Sequence, residues 1–527
     1  MPIPSFRGPV AVTFALVLST SASFAQASRG QTACDTFRQL QVPGADLFEV
    51  RTEWIAAGTP LPPPFPSAPP SRAKLPAFCR LTATLDRRTG ADGKVFGIGF
   101  ALALPAEWNG RLLFQGGGGL NGSVAPPLGR VGENDAALIR GFAVVSTDTG
   151  HKGQVFDASF MADQQASLDF AYQAVGRVAM LAKQIVTQYY GGPAAHAYFM
   201  GCSTGGREGM LMAQRYPRYF DGVIVGAPAM RTNFSGIGDE WVATMLNRAA
   251  RAGADGKPDA RRALSDGDRR AVIDGVLASC DGRDGLRDGI VSDPLGCRFD
   301  PGELACQGPK KDSCLSAAQV DAIGRAFAGP KDSGGRQVYP GFLFDTGIAN
   351  TAGLPGLLAG STNPVGPPFT ATDMDVDRRA AAASADPQMQ LTATSSWTNL
   401  NTFSAHGGKL IFYHGVSDPW FSALDTVDYY ERMTNANGGA AVVMDWSRLF
   451  LVPGMGHCGG GPGALDGFDM LSAIVDWVEA RRAPDRIRAT GRAWPGRSRL
   501  LCPYPSHAQY KGTGDPEDSG SFECRTD

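Results

Sequence analysis

The sequence carries no excess of charge: 49 Lys and Arg against 51 Asp and Glu leave a formal net charge of −2 over 527 residues. A balanced surface lacks the electrostatic footprint that draws proteins to nucleic acid or to anionic lipid, so neither is expected as a partner. No uninterrupted apolar run reaches the roughly 18 residues that read as a membrane-spanning helix, and no membrane span is expected. No two of the ten cysteines stand as C-x-x-C, which argues against zinc ribbons and thioredoxin-like redox chemistry. Histidine is scarce, at six residues. No internal repeat is visible, which speaks against a solenoid or propeller.

What is present fits a large globular enzyme: 43% hydrophobic and 19% charged residues, in a chain long enough for one domain with an insertion or for two domains. Residues 1–27 have the three parts of an export signal: Arg7, the apolar stretch Val10 to Leu18, and the small-residue site Ala25-Gln26-Ala27. The mature chain is therefore expected to start near Ser28 and to work in the periplasm or the medium. Ten cysteines, an even number, suit that destination.

From about residue 110 the text alternates between short apolar runs and amphipathic stretches. Arg111 to Gln115, Phe142 to Ser146, Ala197 to Met200 and Gly222 to Val225 read as strands. Between them, Ala171, Val175, Val178, Ala182 and Ile185 mark one face of a long helix, and Thr204 to Arg215 a second helix. This rhythm predicts a parallel sheet with crossover helices. It breaks over residues 230–397, which are rich in Gly, Asp and Ala. It resumes with strand Lys409 to Tyr413, helix Asp425 to Arg432, strand Leu449 to Val452 and helix Leu465 to Glu479. An α/β core in two parts, 28–229 and 398–527, with a large domain inserted at 230–397, is the expected organisation.

Gly201-Cys202-Ser203-Thr204-Gly205 matches G-x-S-x-G between a predicted strand and a predicted helix, the setting an α/β-hydrolase nucleophile requires. A serine needs a base to act near neutral pH. In the order nucleophile, acid, base, the candidates are His457 and His507; His457 follows a strand in a glycine-rich loop, whereas His507 lies in a polar tail. His457 is taken as the base. Asp418, just beyond strand KLIFYHG, is the orienting acid. His406 and His414 read as structural or pocket-lining histidines, and His414 with Gly415 is assigned to the substrate pocket. The backbone N–H of Thr204 and one from the run Gly116 to Gly122, assigned to Gly119, supply the oxyanion hole. That run also spells G-x-G-x-x-G, but Pro126 and Pro127 interrupt the helix a dinucleotide site needs, and no organic cofactor is expected.

Cys202 neighbours the nucleophile and Cys458 the base, so a hydrogen-bonded Ser203 and His457 would bring the two thiols into disulfide range. Short loops favour Cys280–Cys297, Cys306–Cys314 and Cys502–Cys524, although spacing alone does not fix connectivity. In CDGRDGLRDGI, Asp281, Asp284 and Asp288 stand three and four residues apart with glycines between. Hard oxygen donors with backbone carbonyls suit Ca²⁺, and a run of solvated Asp-Gly turns is the alternative.

The stretches FQGGGGLNGS, GCSTGGREGM, CDGRDGLRDGIV, YHGVSDPWFSALDTVDYYER, LFLVPGMGHCGGGPG and LCPYPSHAQYKGTGD resemble the tannase and feruloyl esterase family. The likeness rests above all on Cys-Ser at 202–203, Asp418, and His-Cys at 457–458, and spans essentially the whole mature chain. It implies an α/β-hydrolase core with a lid domain inserted between nucleophile and acid. It implies a structural Ca²⁺ in the lid, held by Asp281, Asp284 and Asp288 and by the carbonyls of Leu286 and Ile290. It implies the disulfides Cys34–Cys79, Cys202–Cys458, Cys280–Cys297, Cys306–Cys314 and Cys502–Cys524. The implied activity is hydrolysis of small aromatic esters of feruloyl, galloyl or terephthaloyl type through an acyl-enzyme on Ser203. A general short-chain carboxylesterase, a terephthalate monoester hydrolase proper, and an inactive calcium-stabilised binding protein are the alternatives. Residues 342–397 are shorter than in the terephthalate-ester members, whose Arg-and-Phe segment has no counterpart here, with Arg378 and Arg379 the nearest cations in sequence.

Overall fold

The computed structural model describes residues 30–63, 70–360 and 366–526. The expected export segment, 1–27, lies outside them. A nine-stranded sheet carries the architecture. In chain order its strands are β1 (Leu47–Ile55), β2 (Phe78–Thr89), β3 (Val95–Pro105), β4 (Arg111–Gln115), β5 (Ala143–Thr147), β6 (His196–Cys202), β7 (Gly222–Gly226), β8 (Lys409–Gly415) and β9 (Ser447–Val452). Across the sheet they stand β1-β2-β3-β5-β4-β6-β7-β8-β9. The pairs from β1 to β5 are antiparallel and those from β5 to β9 parallel.

The parallel strands are buried on both faces, and their side chains divide between two cores. Phe114, Val145, Phe199, Val225 and Phe412 meet helices α1 (Ala174–Tyr190), α2 (Thr204–Gln214) and part of a later helix, Ala423–Ala436, on one side. Leu113, Val144, Tyr198, Ile224 and Ile411 meet the helix Met470–Ala480 on the other. Near-continuous apolar runs covered by helices on both sides are what a parallel sheet demands. The strands β1–β3 precede the alternation read from the sequence. As an antiparallel meander they need no crossover helix, so they leave no β/α rhythm to detect. The helix expected from Leu465 begins at Met470, because the Asp469 side chain caps it by accepting the Ser472 N–H.

Residues 227–408 leave the sheet after β7 and return as its neighbour β8. Among the described residues this stretch forms helices and turns without a strand, which is why it shows no alternation. Its main helices are α3 (Thr232–Ala249), α4 (Asp266–Cys280), α5 (Ala317–Ala328) and α6 (Val376–Ala385). Capping boxes start two of them, Ser265 with Asp268 and Ser316 with Gln319. It has its own core, in which Val242, Leu246, Val272, Ile323, Phe327 and Phe342 pack together. We number the helices that follow α7 (Ala423–Ala436) and α8 (Met470–Ala480).

Candidate active site

Strand β6 runs into α2 through a turn that only small residues can make. A β-carbon on Gly201 would stand 2.5 Å from the Gly205 carbonyl, one on Gly205 2.6 Å from Gly117 O, and one on Gly206 2.3 Å from Gly226 O. Between them Ser203 adopts φ 63° and ψ −122°, a conformation costing about 1–3 kcal/mol for an L residue. The end of β7 holds it there: Ser203 N–H donates to Gly226 O at 3.0 Å, and Ala229 N–H donates to Ser203 O at 3.1 Å. Ser203 is thus the residue before the first turn of α2, where the helix dipole favours negative charge.

The loops after β8 and β9 bring Asp418 and His457 together. His457 Nδ1 and Asp418 Oδ2 are 2.7 Å apart. The other carboxylate oxygen of Asp418 accepts the Trp420 and Phe421 N–H groups at 2.9 and 3.1 Å. Burial would push this carboxyl up, but the His457 charge and hydrogen bonds from His414 and His457 hold it well below the usual carboxylate range. The Cys202–Cys458 disulfide, with Cα atoms 5.9 Å apart, ties the residue before Ser203 to the residue after His457. The ten cysteines pair completely, the other bridges being Cys34–Cys79, Cys280–Cys297, Cys306–Cys314 and Cys502–Cys524.

Facing the elbow is the glycine run after β4. Gly117 N–H and the Asn121 side-chain amide donate to the two oxygens of Glu208, at 2.9 and 3.0 Å. Glu208 is wholly buried on α2, and burial pushes its carboxyl up. The Thr204 hydroxyl donates to the Gly119 carbonyl. Gly119 has φ +56°, and a β-carbon on it would meet Val155 O at 2.5 Å. Among the described residues the amides of Gly118, Gly119 and Thr204 donate to no protein acceptor, unlike those of Gly116, Gly117, Leu120, Asn121 and Gly122. Gly118 is a donor that sequence reading did not single out. Glu208 was in plain view within GCSTGGREGM, but its role depends on a loop 91 residues away.

The assignment of His414 and Gly415 to the substrate pocket is corrected. His414 is fully buried, with Nδ1 2.8 Å from Thr426 Oγ1, Nε2 2.9 Å from Phe421 O, and Asp418 Oδ2 3.3 Å from Nε2. A β-carbon on Gly415 would strike Gly456 O at 2.3 Å. Both residues therefore back the acid from within the protein. The side chains around the His457 ring are Trp420 and Phe421, at centroid distances of 4.9 and 5.1 Å, and Phe156 meets Trp420 edge-on at 6.1 Å.

The segment between β7 and β8 reaches this site through Asp345 and Tyr339, which sequence reading did not find. Asp345 is fully buried, and its Oδ2 accepts the Ser417 hydroxyl at 2.8 Å and the Gly454 N–H at 2.6 Å. Burial raises its carboxyl above the ordinary range despite those bonds. Tyr339 OH accepts the Ser422 N–H at 3.0 Å, and the Ser422 hydroxyl donates to Gly341 O. Arg379 pairs with Glu240, and Arg378 is exposed on α6.

The acidic turn after α4 is compact. Asp281 accepts the Asp288 and Gly289 N–H groups, each at 3.1 Å, Asp284 accepts the Leu286 N–H at 3.0 Å, and Asp288 pairs with Arg499. Among the described residues no three His, Cys, Asp or Glu side chains close on a common metal position. The Asp284 carboxyl is buried, with the Ser292 side chain as a further hydrogen-bonding neighbour. Burial, reinforced by Asp288 and Asp281, pushes this carboxyl up to about 6. The turn thus offers hard oxygen donors, three carboxylates with the Leu286 and Ile290 carbonyls nearby in sequence, but among the described residues no three of its side chains converge on one point.

A family model for tannase and feruloyl esterase matches residues 79–525. Mono(2-hydroxyethyl) terephthalate hydrolase of Piscinibacter sakaiensis is 39% identical to the chain over 526 residues, covering 86% of each. A probable feruloyl esterase of Arthroderma benhamiae is 30% identical over 559 residues, covering 98% of this chain and 99% of the relative. The crystal structure of feruloyl esterase B from Aspergillus oryzae superposes with a TM-score of 0.75 at 28% identity, over 94% of this chain and 100% of that one. The chain belongs to the tannase and feruloyl esterase family and is a carboxylic ester hydrolase.

Proposed function

We propose that the protein is an exported serine esterase that cleaves esters of aromatic acids through an acyl-enzyme on Ser203. The observation that carries this reading is the Cys202–Cys458 bridge, which joins the strained serine turn to the loop whose His457 meets Asp418 at 2.7 Å. His457 takes the Ser203 proton as Oγ attacks the ester carbonyl, then returns it to the departing alcohol; Asp418 holds the ring's orientation and stabilises its charge. The N–H groups of Thr204 and Gly119 receive the oxyanion, both being free of protein acceptors among the described residues. Water, activated by the same histidine, then releases the acid.

The inserted stretch acts as the lid that chooses the substrate. Trp420, Phe421 and Phe156 offer an aromatic wall beside His457. The nearby cations are committed or remote: Arg231 to Asp425, Arg379 to Glu240, with Arg378 turned out to solvent. A site without a carboxylate clamp gains nothing from an anionic substrate. Neutral alkyl hydroxycinnamates and gallates are therefore expected to be cleaved with higher kcat/KM than the monoester of terephthalate. Steady-state kinetics on methyl ferulate, methyl gallate and that monoester test this directly. The reverse order would replace the reading with a terephthalate monoester hydrolase, and Arg378 and Arg379 would be the first residues to substitute.

Ca²⁺ is proposed to sit at the Asp281–Ile290 turn, held by the three carboxylates and the Leu286 and Ile290 carbonyls. It would neutralise that buried charge and fix the turn to the C-terminal hairpin, with no part in the ester chemistry. Five disulfides suit an oxidising compartment, and among the described residues no helix is long and apolar enough to cross a membrane.

A further inference from the structure

We infer that Asp345 is a positioning residue for the catalytic acid and base, supplied by the inserted segment; this rests on the assignment of Asp418 and His457 proposed above. Asp345 sits 72 residues before Ser417 and 109 before Gly454, yet one of its oxygens holds both. Ser417 immediately precedes the acid, and Gly454 lies three residues before the base. A single buried carboxylate oxygen therefore sets the spacing between the two loops that must present Asp418 and His457 to each other. The Ser417 N–H also donates to Met455 O at 2.9 Å, so the loops are laced directly as well as through Asp345.

The backbone around Asp345 is built for this approach. A β-carbon on Gly347 would stand 2.5 Å from Gly454 O and 2.7 Å from the Ser417 side chain, so the segment wedges against both loops at van der Waals distance. Gly356 folds the chain back on itself, where a β-carbon would meet Ile348 O at 2.4 Å. The far end of the acid loop is pinned by the same segment, through Tyr339 OH to Ser422 N–H and Ser422 Oγ to Gly341 O. Asp418 thus lies on a turn fastened at both ends, Ser417 and Ser422, by residues 339–345. The inserted stretch does more than cover the site: it holds the acid in register with the histidine.

The test compares Asp345→Ala, Asp345→Asn and Ser417→Ala in the full-length protein, using p-nitrophenyl acetate and methyl ferulate. Loosening the two loops by even an ångström should lower kcat for Asp345→Ala about a hundredfold, while KM stays within about twofold. Asp345→Asn retains an oxygen that can accept both donors, and should recover to within about tenfold of wild type. Ser417→Ala, which removes one donor and leaves the Gly454 bond, should fall between them. Circular dichroism reports folding. If Asp345→Ala does not fold, the Asn and Ser417 variants decide. Folded variants with wild-type kcat, or with KM raised and kcat unchanged, would overturn the positioning role. A wild-type protein inactive on both esters would instead remove the esterase reading on which the inference rests, so the two failures are distinct.

Discussion

The serine turn and the inserted segment achieve order by opposite means. At the turn, Gly201, Gly205 and Gly206 let backbone touch backbone, and the strained Ser203 is held by main-chain hydrogen bonds from β7. Ser203 itself needs no long side chain to hold it, although Glu208 just beyond it reaches the glycine run. The inserted segment has a smaller core and two short disulfide loops, and it reaches the site through the side chains of Asp345 and Tyr339 together with the close backbone approach of Gly347 and Gly341. Backbone-built geometry leaves little room for larger residues, whereas side-chain fastening hangs on a few individual groups. Loops placed by a rigid scaffold are where function commonly diversifies.

Substitutions on the two sides sharpen this contrast. Ser203→Ala should lower turnover of p-nitrophenyl acetate by at least about 10⁴-fold with an unchanged melting curve, since it deletes one hydroxyl and keeps every backbone bond. Residual activity above about a hundredth of wild type would take the nucleophile's role from Ser203.

The disulfides provide the second comparison. Cys202–Cys458 closes 256 residues and Cys306–Cys314 only 8. In the chain-entropy account the first stabilises by at most about 5–6 kcal/mol and the second by about 2.5 kcal/mol. The double variant Cys202→Ala, Cys458→Ala should therefore lose more stability in urea than Cys306→Ala, Cys314→Ala, and should lose activity as well. Equal losses, or an active variant without the first bridge, would erase the distinction between the two regions.

Chelation probes the inserted segment. Prolonged EDTA should lower the melting temperature, by the equivalent of about 3 kcal/mol if calcium had stood at about a hundred times its Kd. Added Ca²⁺ should restore it, and Asp284→Asn should abolish both responses. An unchanged melting curve with no metal by elemental analysis would leave the acidic turn as a hydrogen-bonded fold without a cation.

The smallest effect belongs to the sheet. Asp148, buried beside the glycine run, accepts the Gly99 and Gly150 N–H groups, each at 2.9 Å, and burial pushes its carboxyl up to about 7 from 3.8. A group that binds its proton more tightly folded than unfolded contributes stability that is lost as pH rises through that interval. The melting temperature of Asp148→Asn should thus gain on wild type as pH climbs from about 4 to about 7. A difference independent of pH would mean that Asp148 is ionised throughout.

The parts of the site legible in the sequence were those written as contiguous text. G-x-S-x-G, the histidine loop and the acid after KLIFYHG each sit at the end of a strand, and strand ends in a parallel sheet are neighbours whatever lies between them. Glu208 and Asp345 were not legible, because their partners, Gly117, Asn121, Ser417 and Gly454, are fixed by folding and leave no local pattern. His414 was misread for a related reason: its place in β8 was evident, but which way the side chain faced was decided by α7, whose Thr426 binds its ring. The three antiparallel strands before residue 110 left no alternation to detect. By itself, then, the sequence determined the β/α core, its interruption, and the kind of chemistry at its strand ends, since local patterning dictates strands, helices and tight turns. Only the tertiary structure decided which buried acids hold the glycine run and the loops of Asp418 and His457 in place, because a hydrogen bond between distant segments depends on their meeting in space.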